Sequence, residues 1–198
     1  MRNVNYNKST IKCHFCQGDH PCRYCPVEER EAATHKKRIG RIFEDWVDKN
    51  IKCPNCQCHL TCLKSNTPSL DLKCDNPNCT KNIYECKSKC LSVDNLPSDI
   101  ILPHGSYPHF ICRLDEGLNL IVVIYGIDRS KKTINIREVR YADNKDLINS
   151  NIIQIEKKQD SNSSSIFIKN RSKLKKIDYS TDNLCLNFTN CNLNNKAC

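Results

Sequence analysis

Two carboxylates and one ammonium, gathered around a set of cysteines, carry the chemistry this chain could perform. Asp71 stands three positions before Cys74, and Glu85-Cys86-Lys87 follows Cys79. If Ile83–Ser88 is a strand, its alternation puts Glu85 and Lys87 on one face and Cys86 on the other. If Leu70–Lys73 is the neighbouring strand, Asp71 lies beside Glu85. Such a group suits metal-assisted hydrolysis of a phosphodiester. The carboxylates offer hard oxygen ligands to Mg²⁺. The bound ion activates water and offsets charge on the phosphoryl oxygens. The ammonium stabilises the incipient hydroxide and the transition-state charge. The same spacing also describes an exposed, salt-bridged strand face, so the chemistry depends on what holds the three side chains.

The cysteines supply that scaffold. Cys53-Pro54-Asn55-Cys56 is followed, after seventeen residues, by Cys74-Asp75-Asn76-Pro77-Asn78-Cys79. Two short cysteine turns at this separation predict a zinc ribbon with Cys53, Cys56, Cys74 and Cys79 as ligands. The ribbon would close the turn between the two strands and fix their register. Cys58 and Cys62 lie inside the ribbon loop without a Pro/Asn turn and read as loop thiols or small buried residues; with Cys86 and Cys90 they are the rival ligands. His59 reads as a surface residue. A second cluster lies upstream, in Cys13-His14-Phe15-Cys16-Gln17-Gly18-Asp19-His20-Pro21-Cys22-Arg23-Tyr24-Cys25. Cys13, Cys16, His20 and Cys25 form the expected set, and Cys22 in place of His20 is the alternative. So short a span buries no core and needs its metal to fold. The stretch resembles a retroviral-type zinc knuckle, one residue short between Cys16 and His20. Two structural zinc ions are therefore expected.

Composition narrows the setting. Sixteen cysteines in 198 residues would indicate disulfides in an exported protein. The N-terminus lacks the apolar stretch of a signal peptide, so metal binding inside the cell, in cytoplasm or nucleus, is the expectation. The longest apolar run, near Leu118–Tyr125, falls far short of a membrane span. Lys and Arg outnumber Asp and Glu by 31 to 22. From Arg129 to Lys176 there are thirteen basic and five acidic side chains. That uneven field favours a polyanion, DNA above all. The late basic run (Arg171, Lys173, Lys175, Lys176) reads either as a DNA-backbone contact or as a solvated face. A thiol-redox protein is disfavoured, because the cysteine pairs come in twos at ribbon and knuckle spacing.

Along the chain, three segments emerge: a zinc knuckle with a loose N-terminus over 1–26, an α/β domain over 27–177, and an Asn-rich, weakly ordered tail over 178–198. Val27–Lys49 predicts a helix with Ile39, Ile42, Phe43, Trp46 and Val47 on one face. Leu118–Tyr125 and Thr133–Tyr141 predict strands in one mixed sheet with Asp71 and Glu85. Ile152–Glu156 and Ser165–Lys169 are further strand candidates. Residues 91–117 read as mixed, with prolines interrupting any long helix. Gly105–Arg113 is a short covering segment, in which Tyr107 and Arg113 read as packing residues.

The order Arg41-Ile42-Phe43-Glu44-Asp45-Trp46-Val47, the first ribbon turn, Pro68 to Cys74, Cys79, and Tyr84-Glu85-Cys86-Lys87-Ser88-Lys89 resembles the DpnI-like catalytic domains of the PD-(D/E)xK restriction endonuclease superfamily. The resemblance runs from about Arg38 to about Ser180. It implies a restriction-endonuclease-like α/β fold, a mixed sheet with flanking helices and an embedded ribbon, that cuts duplex DNA with Mg²⁺ in a methyl-directed manner. Asp71 and Glu85 match the family's metal ligands, Lys87 its catalytic lysine, and the Cys86 carbonyl a further ligand. Glu44 matches a helix acid that supports the site; a capping or salt-bridge role is the alternative. The chain departs from the pattern in having four residues between Cys74 and Cys79 where two are usual, and no counterpart of the winged-helix domain. The competing function is a non-catalytic, zinc-dependent nucleic-acid adaptor, in which Phe15 and Tyr24 stack on bases.

Overall fold

A computed structural model describes residues 39–63, 70–91, 95–104, 107–128, 133–149, 151, 153–157 and 164–179. The upstream cysteine cluster, the first part of the expected helix (27–38) and the tail beyond Tyr179 lie outside the described residues. The chain divides into two compact units, residues 1–41 and 42–198. Of the first, the described residues are 39–41, which open helix α1 (39–50).

The second unit is built on a six-stranded mixed sheet. Its strands are β1 (Leu60–Cys62), β2 (Leu72–Cys74), β3 (Ile83–Cys90), β5 (Asn119–Asp128), β6 (Thr133–Ala142) and β9 (Lys175–Lys176), side by side in that order. β3 and β5 run parallel, and every other neighbouring pair is antiparallel. A smaller antiparallel sheet is ordered β4 (Ile100–His104), β8 (Ser164–Ile168), β7 (Ile153–Lys157). Helices α2 (Tyr107–Asp115) and α3 (Asn144–Asn149) complete the set. The mixed α/β architecture is the expected one.

β5 explains why the sheet forms. Its run Leu120-Ile121-Val122-Val123-Ile124 is fully buried, as a central strand covered on both faces requires. Cross-strand partners share a face, so the register sorts the side chains. Cys86, Ile121 and Tyr141 form one row; Glu85, Leu120 and Ala142 form the row facing the other way. On the first face lies α1, whose Phe43 ring sits 4.4 Å from that of Tyr125. On the second, Leu120, Val122 and Ile124 pack with Leu102, Phe110 and Ile166. The helix expected over Val27–Lys49 thus does cover the sheet in its described part, using Phe43, Trp46 and Val47, all buried.

Several elements differ from the sequence reading. Within the expected covering segment, Tyr107–Arg113 belong to helix α2, which is closed off just beyond its last residue by Gly117. There φ is +89°, and the Gly117 and Leu118 amides donate to the carbonyls of Leu114 and Arg113 at 3.0 and 2.9 Å. This is the double hydrogen bond of a left-handed helix stop, which glycine adopts without strain. β4 was not anticipated because it contains Pro103; the strand is an edge, where a missing N–H costs little. Helix α3 is too short for a periodic signal, but Asp143 and Asp146 cap it reciprocally, each carboxylate accepting the other's amide at 3.1 Å. The two late strand candidates exist but belong to the smaller sheet. Among the described residues, no helix is long and apolar enough to cross a membrane.

Candidate active site and metal centre

The four ribbon cysteines converge. The sulfurs of Cys53, Cys56, Cys74 and Cys79 all lie within 4.8 Å of one another. Cys53 and Cys79 are 3.7 Å apart, and Cys56 and Cys74 3.4 Å. Four sulfurs held about 2.3 Å from one tetrahedral ion would lie about 3.8 Å from each other. The donor set and its spacing therefore fit zinc. Gln57, at φ 62°, turns the first pair back, with its amide on the Cys53 carbonyl at 2.9 Å and the Cys53 amide on Cys58 at 2.8 Å. In the second pair, Asn76 accepts the Cys79 amide on its carbonyl and the Asn78 amide on its side chain, both at 3.0 Å. A backbone hydrogen bond at Cys58 draws the Cys56 thiol down to about 6, while burial raises those of Cys53 and Cys74.

Of the rival cysteines, Cys58 lies beside the cage, its side chain hydrogen-bonded to that of Cys56, but it is not one of the four converging sulfurs. Cys58 and Cys62 are half-buried, and Cys86 is buried in β3. Burial and the charge of Glu44 push the Cys62 thiol up to about 11. His59 is exposed, 3.1 Å from Asp48 and 3.0 Å from Asp75, as a surface residue should be.

Tyr84 joins the cage to β3. Its hydroxyl donates to the Lys81 carbonyl at 2.5 Å and lies 3.0 Å from Cys53 Sγ. No sequence pattern marks this residue, because its partners meet only in the fold. The residue after it is Glu85. Alternation sends Tyr84 and Cys86 toward the α1 face and Glu85 and Lys87 toward the other.

The β2–β3 ladder stops at the Leu72–Tyr84 pair. Beyond it the Asp71 amide still donates to the Tyr84 carbonyl at 3.0 Å. The Cys86 amide, which a continued ladder would give to a backbone carbonyl, donates instead to Asp71 Oδ2 at 2.8 Å. The Asp71 carboxyl is thereby fixed against β3 between Glu85 and Lys87. Glu85 is 2% exposed and is ion-paired through Oε1 to Lys87 Nζ.

The electrostatics bind these groups together. Burial, then the charge of Glu85, raises the Asp71 carboxyl from 3.8 to about 7; Glu44 adds to the rise, and Lys87 and the Cys86 amide oppose it. Burial works against the Lys87 ammonium, but the charges of Glu85 and Asp71 outweigh it and hold the lysine above its usual value. Glu44, half-buried on α1, bears on both Asp71 and Cys86. A buried carboxyl that resists ionisation beside a second acid is a donor set that a divalent cation relieves, and two carboxylates suit Mg²⁺. Asp71, Glu85 and Lys87 thus share one neighbourhood, and the charge of Glu44 reaches it from α1.

Residues 26–185 match the family described as DpnI: Dam-replacing family. The chain belongs to this family. Neither the curated proteins nor the solved structures provide a match. The DpnI family is restriction-endonuclease-like and acts on DNA. In this DpnI-family chain, the basic residues of the late run divide. Arg171 is a clamp: its guanidinium pairs with Glu138 and donates to the carbonyls of Pro97 at 2.8 Å and Leu96 at 3.3 Å. Lys173, Lys175 and Lys176 remain exposed. Arg113 pairs with Glu116 on its own helix turn. Buried Asn119 was missed by sequence reasoning. It donates to the Ile83 and Gly117 carbonyls at 3.0 Å and accepts from Tyr141 and the Asn144 amide, so it fixes the start of β5 beside β3.

Proposed function

We propose that this DpnI-family protein is a Mg²⁺-dependent endonuclease that hydrolyses phosphodiester bonds of duplex DNA in a methyl-directed, restriction-like manner. The observation that carries the reading is the Asp71 carboxylate seated on the Cys86 amide beside the Glu85–Lys87 pair. Asp71 and Glu85 would hold the cation, with the Cys86 carbonyl as a further ligand. When bound, the ion supplies a water of lowered pKa and a positive charge against the phosphoryl oxygens. Lys87 is the charged donor that orients the attacking water and steadies charge in the transition state. Its ammonium stays protonated because Glu85 and Asp71 surround it. Glu44 acts through Asp71 by making its proton harder to lose in the absence of the cation. The cysteine cage would hold zinc as a structural ion.

The experiment is plasmid cleavage with Mg²⁺, using methylated and unmethylated DNA and comparing the wild type with Asp71→Ala and Lys87→Ala. Cleavage by the wild type alone, on methylated DNA alone, is the expected result. Equal cleavage by all three removes this site from the mechanism. Salt-sensitive DNA binding without cutting under several divalent ions would leave the adaptor reading in its place.

A further inference from the structure

A cleft of about 570 Å³ lies between the first ribbon turn and β9, lined by Lys52, Pro54 and Gln57 on one side and by Tyr141, Lys175 and Tyr179 among others on the other. It is separate from the carboxylates. Tyr141 and Lys175 are cross-strand partners in the row of Ile121 and Cys86, on the face away from Glu85 and Lys87. We propose that this cleft grips the phosphodiester backbone of DNA, as a second contact beyond the carboxylate site.

Charge is the first argument. Lys52, Lys175 and Lys176 reach the cleft from two segments far apart in sequence, against one lining acid, Asp178. All three lysines are exposed, and among the described residues none forms a salt bridge. Asp143 feels the charge of Lys175 but is already bound to Lys81 at 2.5 Å. The positive field is therefore left facing solvent, where it attracts a polyanion.

The second argument is the fixed floor. The Lys175 ammonium stands 5.8 Å from the centre of the Tyr141 ring, whose burial anchors it. Tyr179 is held edge-on to Trp46 with ring centres 5.5 Å apart, and its hydroxyl donates to the Ile136 carbonyl at 3.3 Å. Gln57 is held at the turn by its left-handed backbone. Lysines beside this rigid floor present point charges to phosphates, while half-buried Tyr179 offers an apolar edge to the sugar. Their spread along an open cleft suits successive phosphates of one strand better than a single small anion. The choice of DNA as the polymer rests on the proposed function.

The test uses the full-length, zinc-loaded protein without Mg²⁺. Binding of a labelled duplex is followed by fluorescence anisotropy between about 50 and 300 mM KCl. Each lost phosphate contact lowers the slope of log affinity against log salt by about 0.9. Lys52→Ala/Lys175→Ala/Lys176→Ala should flatten that slope by about 2 to 3 and weaken binding by roughly a hundredfold or more near 0.1 M salt. The triple Arg variant should restore both, which separates charge from folding. An unchanged slope in the triple Ala variant would overturn the proposal. So would an Ala-variant loss that the Arg variant fails to restore, or protection of these lysines from acetylation by AMP but not by duplex. Loss of cleavage with lysine-dependent binding intact would instead sink the nuclease reading alone.

Discussion

Asp71→Asn should destroy cleavage and at the same time stabilise the Mg²⁺-free protein. The wild-type carboxyl titrates near 7 in the fold and near 3.8 in an unfolded chain. Between those values the folded state keeps a proton that the unfolded state has released, so stability falls as pH rises through that window and levels off above it. Holding the carboxylate ionised in the fold costs on the order of 4 kcal/mol, and its partial exposure trims this to about 2 to 4. Asparagine carries no charge and its side-chain oxygen still accepts the Cys86 amide. At pH 8 the variant should therefore melt about 5 to 15 °C higher. The gain should fade as pH falls toward about 4. Millimolar Mg²⁺ should raise the wild-type midpoint and leave that of the variant nearly unmoved. The assay is thermal unfolding of the zinc-loaded protein across pH, with and without Mg²⁺. A variant no more stable than wild type at pH 8, or one whose advantage persists at low pH, would refute the electrostatic account of this site.

Three further outcomes follow from the same geometry. Lys87→Met strands buried Glu85 without its ammonium and should cost about 3 to 5 kcal/mol, most of it recovered in the Glu85→Gln/Lys87→Met double variant; denaturant melts of the two distinguish pairing from packing. Cys74→Ser should release one zinc per chain, read by elemental analysis, and unfold β1 to β3, whereas Cys58→Ser and Cys62→Ser should keep full zinc content. Asp143→Ala removes both the α3 cap and the Lys81 partner, and should lower stability by about 1 to 3 kcal/mol in urea unfolding.

Why some of this was legible in the sequence and some was not has a physical basis. Metal ligation imposes cysteine spacing locally, so Cys53, Cys56, Cys74 and Cys79 declare themselves before any fold is known. Period-two alternation placed Glu85 and Lys87 together on β3, and the unbroken apolar run announced β5. The seat of Asp71 was less visible: its carboxylate takes a ladder position that only the stopped β2–β3 pairing creates. Tyr84 and Asn119 act through partners far away in the chain, and nothing near them in sequence encodes those contacts. β1 and β9 are too short for periodicity and exist because a neighbour offers hydrogen bonds. Arg171 shared a basic run with Lys175, yet burial beside Glu138 made it structural.

The turn within the second cysteine pair has an implication for how this chain can change over time. Cys74 and Cys79 are pinned by the cage; between them Asp75 is tied to His59 and Thr61, and the rest of the turn closes on Asn76. Insertions after Asn76 should loop outward with little effect downstream. The stretch from Cys79 to Tyr84 has no such freedom, since the sulfur at one end and the phenol at the other touch the same cluster. Deleting a single residue from it would turn β3 over, presenting its acid and lysine to α1 and its tyrosine to the opposite core. Length variation should therefore accumulate on one side of Cys79 and be purged on the other.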